Sequence, residues 1–342
     1  MYKETKTYPH FSILIPAYNV ESSIIKCLES IEVQDYRKFT CHILDDGSVD
    51  STLALTNDFS KNSENYRVSS QNNQGISATR NNLLKLAQGD YIIWIDPDDY
   101  IEQNYLASAA ELISLYNPDI LLFDFFIERK NTNKIFNLPF SPGKLSFDVL
   151  LKQLAFDWRF PSQLWNKIYR KDLFREIKFS PDTKILEDYQ VQLPLFQNGK
   201  TYFYANKAFY HYVQHDKSSI ANKKKQNEIN QLKVRADRIE AISQIMPSLF
   251  NDCLLSWLIS YFYSLSLTNR VANSSSEKKE YLKNLDIEFR RVLLLSNSER
   301  VSSLNKFLLF INNKKLKPFL LIFIQRAEKV SKLAKRMILK MH

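Results

Sequence analysis

Residues 96–99 read Asp-Pro-Asp-Asp and follow the apolar run YIIWI (91–95) without a break. Two further acidic pairs, Asp45–Asp46 in DDGS (45–48) and Glu187–Asp188 in ILEDYQVQLPLF (185–196), also sit at an edge between apolar and polar sequence. Carboxylates gathered at one place repel one another, so they either hold their protons or take up a cation. The chain has no CxxC and no Cys/His ligand spacing. An all-oxygen donor set of this kind suits Mg²⁺ or Mn²⁺ rather than Zn²⁺, and a cation held by one or two carboxylates with open positions serves substrate phosphates. QNNQGISATRNN (71–82) offers Arg80 on the first turns of a helix, with Gly75 allowing close backbone approach. There is no GxxxxGK[ST] loop, which excludes a P-loop ATPase, and no GxGxxG after the first strand, which argues against a dinucleotide-dependent oxidoreductase.

Each motif also has a plainer reading. Asp-Gly after an apolar run is a turn signal, and DPDD can start a helix with Asp99 as its cap. Arg80 can be a solvated surface residue, and Glu187–Asp188 can be helix N-terminal acids favoured by the macrodipole. What weighs against these readings is the order of elements that must carry the motifs. FSILI (11–15), FTCHIL (39–44) and YIIWI (91–95) read as short strands, with a weaker strand at 67–71. Helical patterns lie between them, at about 20–34, from Ser48 with Asp50 and Ser51 as capping candidates, and over 76–87 before Gly89. Strand–helix alternation predicts right-handed crossovers and a doubly wound, mostly parallel sheet. Such sheets bind ligands beyond the carboxyl ends of their strands. PAYN (16–19), DDGS and DPDD each follow a strand, so all three should meet along one edge.

Farther on, DILLFDFFIE (119–128) reads as a strand, the 131–144 stretch as an irregular hairpin, and LSFDVLLKQLAF (145–156) as a helix. LWNKIYRKDLF (164–174) mixes aromatic and basic residues, and TYFYANKAFYHYV (201–213) is expected to be a pair of strands. From about Lys223 the pattern is helical.

PAYN, DDGSVDST, NQGISATRN, YIIWIDPDDYI, LWNKIYRKDLF and LEDYQVQ, in this order and spacing, resemble family 2 glycosyltransferases of the GT-A fold over roughly residues 10–215. Within that family the chain is most similar to bacterial enzymes that build capsular or other surface polysaccharides. The resemblance implies roles by position. Pro16, Ala17 and Tyr18 would wall the nucleotide pocket. Asp46 would hydrogen-bond the base, implying a uridine nucleotide, with Asp45 as its neighbour, and Arg80 would sit near the ribose or diphosphate. Asp96 and Asp98 match the DxD positions: Asp98 for the metal, Asp96 for ribose or metal, while Asp99 would join the metal site, face the donor sugar or order the loop. Asp188 would be the catalytic base, with Glu187 beside it. His215 and Ser219 resemble a later segment that approaches the diphosphate. The implied reaction is inverting transfer of a hexosyl group from a UDP-sugar to a hydroxyl of a glycan or polyprenyl-linked oligosaccharide, dependent on Mn²⁺ or Mg²⁺ and forming a β-linkage. Two alternatives stand beside it: a non-catalytic carbohydrate-binding or scaffold subunit on a degenerate transferase fold, and a glycoside hydrolase working with two carboxylates.

Composition sets the remaining expectations. At 342 residues, 44% hydrophobic and 25% charged, the chain has ample material for a core. The expected division is a transferase domain over 1–220 (donor side 10–118, acceptor side 119–220) followed by a helical region over 221–342. Cys27, Cys41 and Cys253 are expected to be reduced and buried, and the opening MYKETKTYPHFSILIP lacks the pattern of a signal peptide, so a cytoplasmic setting is expected. The 253–267 run is uncharged but short and reads as a buried helix rather than a membrane span. Of the net charge of +10, residues 312–342 supply nine Lys/Arg against Glu328 alone. There Phe323, Ala327, Val330, Ala334, Met337 and Met341 form an apolar stripe, expected either to rest on the inner face of the cell membrane or to pack on protein, including a second copy. No nucleic-acid module accompanies the charge.

Overall fold

A computed structural model of the protein describes residues 8–61, 63–130, 132–156, 160–181, 186–214, 225–268 and 274–295. The chain divides into two compact units, Met1–Leu154 with Arg159–Ala221, and Ala155–Trp158 with Asn222–His342.

The first unit is built on a ten-stranded sheet. Its strands are β1 Phe11–Ala17, β2 Phe39–Asp45, β3 Tyr66–Ser70, β4 Tyr91–Trp94, β5 Tyr100–Ile101, β6 Ile120–Arg129, β7 Thr132–Phe136, β8 Gly143–Leu145, β9 Lys167–Arg170 and β10 Tyr202–Val213. The order is β3-β2-β1-β4-β9-β6-β10-β5, with β7 on β6 and β8 on β10. β1 pairs in parallel with β2 and β4, β2 with β3, and β6 with β10. β9 runs antiparallel between β4 and β6. The helices that cross back are α1 Ile24–Glu32, α2 Thr52–Ser60, α3 Ile76–Leu86, α4 Tyr105–Tyr116, α5 Phe147–Ala155 and α6 Glu187–Asn198. This is the expected α/β architecture with a mostly parallel sheet, although nothing in the sequence pattern points to β9 lying against β4.

Every residue of β1 is buried, as a central strand covered on both faces requires. Phe11, Ile13 and Ile15 alternate onto one face and share a core with Ile24, Cys27, Leu28 and Ile31 of α1 and with Tyr105, Leu106, Ala109 and Ile113 of α4. On the other face Trp94 of β4 meets Phe174 and Phe179 edge-on. All three cysteines are free and buried.

TYFYANKAFYHYV is one strand, not two. β10 stays on β6 along its whole length, and register shifts at Ala205/Ala208 and Ala208/Tyr210 take up the residues that resemble a turn. A bulge lets the strand keep its partner while accommodating an extra residue.

In the second unit the described helices are α7 Lys225–Ile245, α8 Phe250–Ser266 and α9 Ser275–Leu295. α8 carries the apolar 253–267 run and is held within this unit: Trp257 Nε1 donates to Leu232 O at 2.9 Å, and the Tyr281 hydroxyl donates to Ser264 O at 3.0 Å. Among the described residues no helix is long and apolar enough to cross a membrane. The basic stripe at 312–342 lies outside the described residues.

Candidate functional site

Parallel register brings the three strand-end motifs together. Ala17 lies opposite Asp45, Asp45 opposite Ser70, and Leu14 opposite Trp94, so PAYN, DDGS and DPDD emerge at the same edge. Hydrogen bonds then stitch the loops to one another. Asp46 N donates to Ala17 O at 2.8 Å, Asn19 N to Ser48 Oγ at 2.9 Å, and Val49 N to Asn19 Oδ1 at 2.9 Å. Asn19 is left-handed, with φ of 52°, a conformation Asn tolerates. Pro16 and Ala17 are buried while Tyr18 is half-exposed, presenting its ring at the edge.

Asp45 and Asp46 are both buried, with different duties. Asp45 Oδ2 accepts from the amides of Gly47 and Ser48 at 3.2 and 3.1 Å, shaping the DDGS turn, and its Oδ1 is enclosed without a hydrogen-bond partner. Gly47 is required there: its φ is 72°, and an added Cβ would stand 2.8 Å from Asn73 N. Asp46 accepts from Gln71 Nε2 and Gln74 N through Oδ1, at 2.8 and 2.9 Å, and from Gly75 N through Oδ2 at 2.8 Å. The carboxylate expected to meet a base thus anchors the loop that leads into α3.

Arg80, on that helix, is buried. One guanidinium nitrogen pairs with Glu187 Oε1 and another lies 3.8 Å from Asp96 Oδ1. Its charge rests 5.8 Å from the Trp94 ring and 5.6 Å from the Phe179 ring. The acids raise the Arg80 pKa despite burial, so it is always a cation. The Glu187–Asp188 pair and the DPDD loop therefore belong to one cluster.

Within DPDD the three acids diverge. Asp96 is pushed up to about 6 by burial, with the Arg80 charge opposing and Asp98 and Glu187 adding to the rise. Asp98 is half-buried beside it. Asp99 has both oxygens engaged inside the fold: Tyr210 Oη donates to one at 2.7 Å and Val213 N to the other at 2.8 Å. Burial and its two neighbouring aspartates push Asp99 up to about 9. Asp99 thus ties the DPDD loop to β10.

Asp188 starts α6 behind Leu186, a non-glycine residue in the left-handed conformation with φ of 62°. Its Oδ1 accepts from Tyr189 N at 2.7 Å. Burial first and Glu187 second push Asp188 up to about 7, against the pull of Arg80. A carboxyl group with this value can exchange a proton near neutral pH. His215 and Ser219 lie outside the described residues.

The donor chemistry fits a hard divalent cation: an all-oxygen set in which Asp96 has Asp98 and Glu187 near it. Among the described residues no group of three or more His, Cys, Asp or Glu forms a complete protein cage. The fit is thus to a cation that completes its shell with phosphate and water.

Several participants have no local signature. Tyr210, which bridges the two ends of DPDD, sits in an ordinary strand pattern. His211 is stacked between Tyr100 and Phe126, with its ring nitrogens on Glu128 and Glu102 at 2.9 and 2.7 Å. Lys167 stands out in the sequence only as part of a basic and aromatic stretch.

Comparison with known proteins gives the chain's relatives. Residues 12–178 match the model of glycosyl transferase family 2. TarS of Staphylococcus aureus, a poly(ribitol-phosphate) beta-N-acetylglucosaminyltransferase, is 28% identical over 273 residues, which is 76% of this chain and 45% of TarS. The chain spans 30% of another relative, glycosyltransferase GlyA of Streptococcus pneumoniae, at 27% identity over 59% of its own length. The solved structure of TarS 1–349 in complex with UDP-GlcNAc shares the fold with a TM-score of 0.66 at 21% identity, covering 93% of this chain and 87% of that one. The sheet and its crossover helices are those of the GT-A fold seen in TarS.

Proposed function

We propose, from the premise that residues 12–178 of this chain belong to glycosyl transferase family 2, that it is an inverting transferase moving a sugar from a UDP-sugar to a hydroxyl of a glycan or lipid-linked acceptor. The uridine donor is supported by the TarS relative, whose structure holds UDP-GlcNAc. A place in bacterial surface polysaccharide synthesis is supported by the bacterial glycosyltransferases among its relatives.

The observation that carries the reading is the double pairing of Arg80. It brings Glu187, from a helix 107 residues away, to the same guanidinium that stands 3.8 Å from Asp96. A base on the acceptor side and an acid on the donor side then flank one reaction space.

In this reading Pro16, Ala17 and Tyr18 wall the base, with Asp45 and Asp46 fixing the loops behind it. Asp98 and Asp96 would hold Mn²⁺ or Mg²⁺, which would neutralise diphosphate charge. Asp188 takes the proton from the acceptor hydroxyl as its oxygen bonds to the anomeric carbon; the bond from that carbon to the UDP oxygen breaks, and UDP leaves with the electron pair. Attack opposite to departure inverts the centre, so an α-linked donor yields a β-glycoside. Arg80 pairs with Glu187 and stands 3.8 Å from Asp96, tying the two together, and Asp99, held by Tyr210, keeps the loop in place.

The test is UDP release from a panel of nucleotide sugars with Mn²⁺, with Mg²⁺ and with EDTA. We expect metal-dependent release from one UDP-sugar, lost in Asp98→Asn. No release from any donor, even with lipid-linked acceptors added, would favour a carbohydrate-binding or scaffold subunit.

A further inference from the structure

Lys167 begins β9, is fully buried, and has no part in the chemistry above. Its ammonium donates to Pro161 O at 3.0 Å, Gln163 O at 2.7 Å and Asn166 Oδ1 at 2.6 Å, and lies 5.1 Å from the Phe160 ring centroid. Three oxygens at these distances use three N–H donors, and a neutral amine has only two. The geometry is therefore that of a cation, although all three acceptors are neutral.

A buried cation in a neutral cage is expensive, and an apolar side chain would fill the volume at lower cost. What the ammonium supplies instead is shape. Two carbonyls and an amide oxygen converge on one point, winding segment 160–166 around it. One of those carbonyls has a second donor: Gln192 Nε2 reaches Pro161 O at 3.1 Å. Gln192 is buried on α6, four residues after Asp188 and so on the same face of the helix. Lys167 and the helix bearing the base thus share one oxygen atom.

Charge runs the same way. Burial lowers the Lys167 pKa to about 7, and the Asp188 carboxylate raises it. The groups that face Asp188 are Glu187 on its own helix, Arg80 on α3, Asp96 after β4, and Lys167 and Tyr169 on β9. Two of them are cations. Arg80 pairs with Glu187 and stands near Asp96; the Lys167 ammonium is held by three neutral oxygens.

We propose that Lys167 is a positioning residue for the transfer reaction: it winds segment 160–166 and, through the Pro161 carbonyl it shares with Gln192, sets the first two turns of α6 and with them Asp188. This rests on the reading of Asp188 as the base.

The test uses the full chain with Lys167→Met, which keeps the length and removes the charge, and Lys167→Gln, which keeps donors without charge. Three quantities are followed: Mn²⁺-dependent UDP affinity, the pH profile of UDP release from the active sugar nucleotide, and amide hydrogen exchange. Both variants are expected to bind UDP within about two-fold of wild type, because the donor loops lie on other elements. UDP release should fall at least about 10-fold, with the acid limb of its profile moved upward, the direction that loss of a nearby cation gives. Exchange should quicken in segments 160–166 and 187–192 alone. Unchanged release and an unmoved acid limb would overturn the proposal. So would exchange that quickens over the whole first unit in both variants, which would mean that Lys167 only holds the fold. If wild type itself neither binds UDP nor releases it, the transferase reading fails, and the exchange arm alone still decides whether Lys167 sets α6.

Discussion

The hydroxyl of Tyr210 and the carboxylate of Asp99 form a buried hydrogen bond of 2.7 Å, and the same phenol accepts from the main chain of Asp96 at 3.0 Å. One side chain from β10 therefore ties both ends of the DPDD loop.

Tyr210→Phe should keep the ring, which stacks on Trp165, and remove only the bridge. Asp99 and the Asp96 amide would each lose a partner, and orphaning a buried polar group costs about 1–3 kcal/mol. We expect a stability loss of that order in urea titration together with weaker Mn²⁺-dependent UDP binding. Normal binding alongside the stability loss would separate the loop's order from donor capture.

Arg80→Met should act on both halves of the site. It leaves Glu187 and Asp96 without their cation, and breaking a buried ion pair from one side costs about 3–5 kcal/mol. Arg80 also holds down the pKa values of Asp96 and Asp188. The acid limb of UDP release should therefore move upward along with a fall in the maximum rate, as a pH profile would show. Restoration by Arg80→Lys should be poor, since one ammonium cannot replace the two-sided contact.

Asp188→Asn should give a protein that is inactive and, above neutral pH, more stable than wild type. Asp188 is raised to about 7 from an ordinary value of 3.8. An acid raised on folding contributes stability that is fully present below its unfolded pKa and is lost as pH rises through its folded one. Ionising wild type at pH 8 thus carries a penalty that Asn does not, and Asn keeps the acceptor for Tyr189 N. A tenfold change in a group's acidity between the folded and unfolded chain corresponds to about 1.4 kcal/mol. The gap between the two proteins in thermal unfolding should be near zero at pH 4, open as pH rises above that, and flatten above about pH 7.

Leu186→Gly should relieve the left-handed residue ahead of α6. A non-glycine residue held there costs about 1–2 kcal/mol. We expect a gain in stability below that figure, because glycine also loses more entropy on folding, with a drop in UDP release as the first turn of α6 loosens. Unchanged release would show that the strain has no part in placing Asp188.

What can be read in the sequence is what lies close along the chain. β1, β2 and β4 announce themselves as apolar runs that end in polar clusters, and parallel topology then puts Asp45, Asp46, Asp96, Asp98 and Asp99 at one edge. The helical patterns ahead of Gln34 and Gly89 are equally local. Sharing an edge does not fix which way a side chain faces, however, and so the inward turn of Asp99 and the enclosure of Asp46 are not readable. Nor are Tyr210 and Lys167, whose partners lie on other elements. β10 misleads for a related reason: Ala-Asn-Lys looks like a turn unless the continuous partner strand β6 is known.

The place of β9 bears on how the molecule is made. β4 ends at Trp94 and β9 begins at Lys167, yet β9 fills the slot between β4 and β6. At synthesis rates of about 5–20 residues per second, the 72 intervening positions (95–166) take roughly 4–14 s to emerge. Through that interval the apolar YIIW edge has β1 on one side and nothing to pair with on the other. An unpaired strand of this kind is a template for association with another chain. The strand that closes this edge also carries Lys167, so the exposed side of β4 is covered by the same segment that brings Lys167 into the sheet, ahead of β10 on the far side of β6.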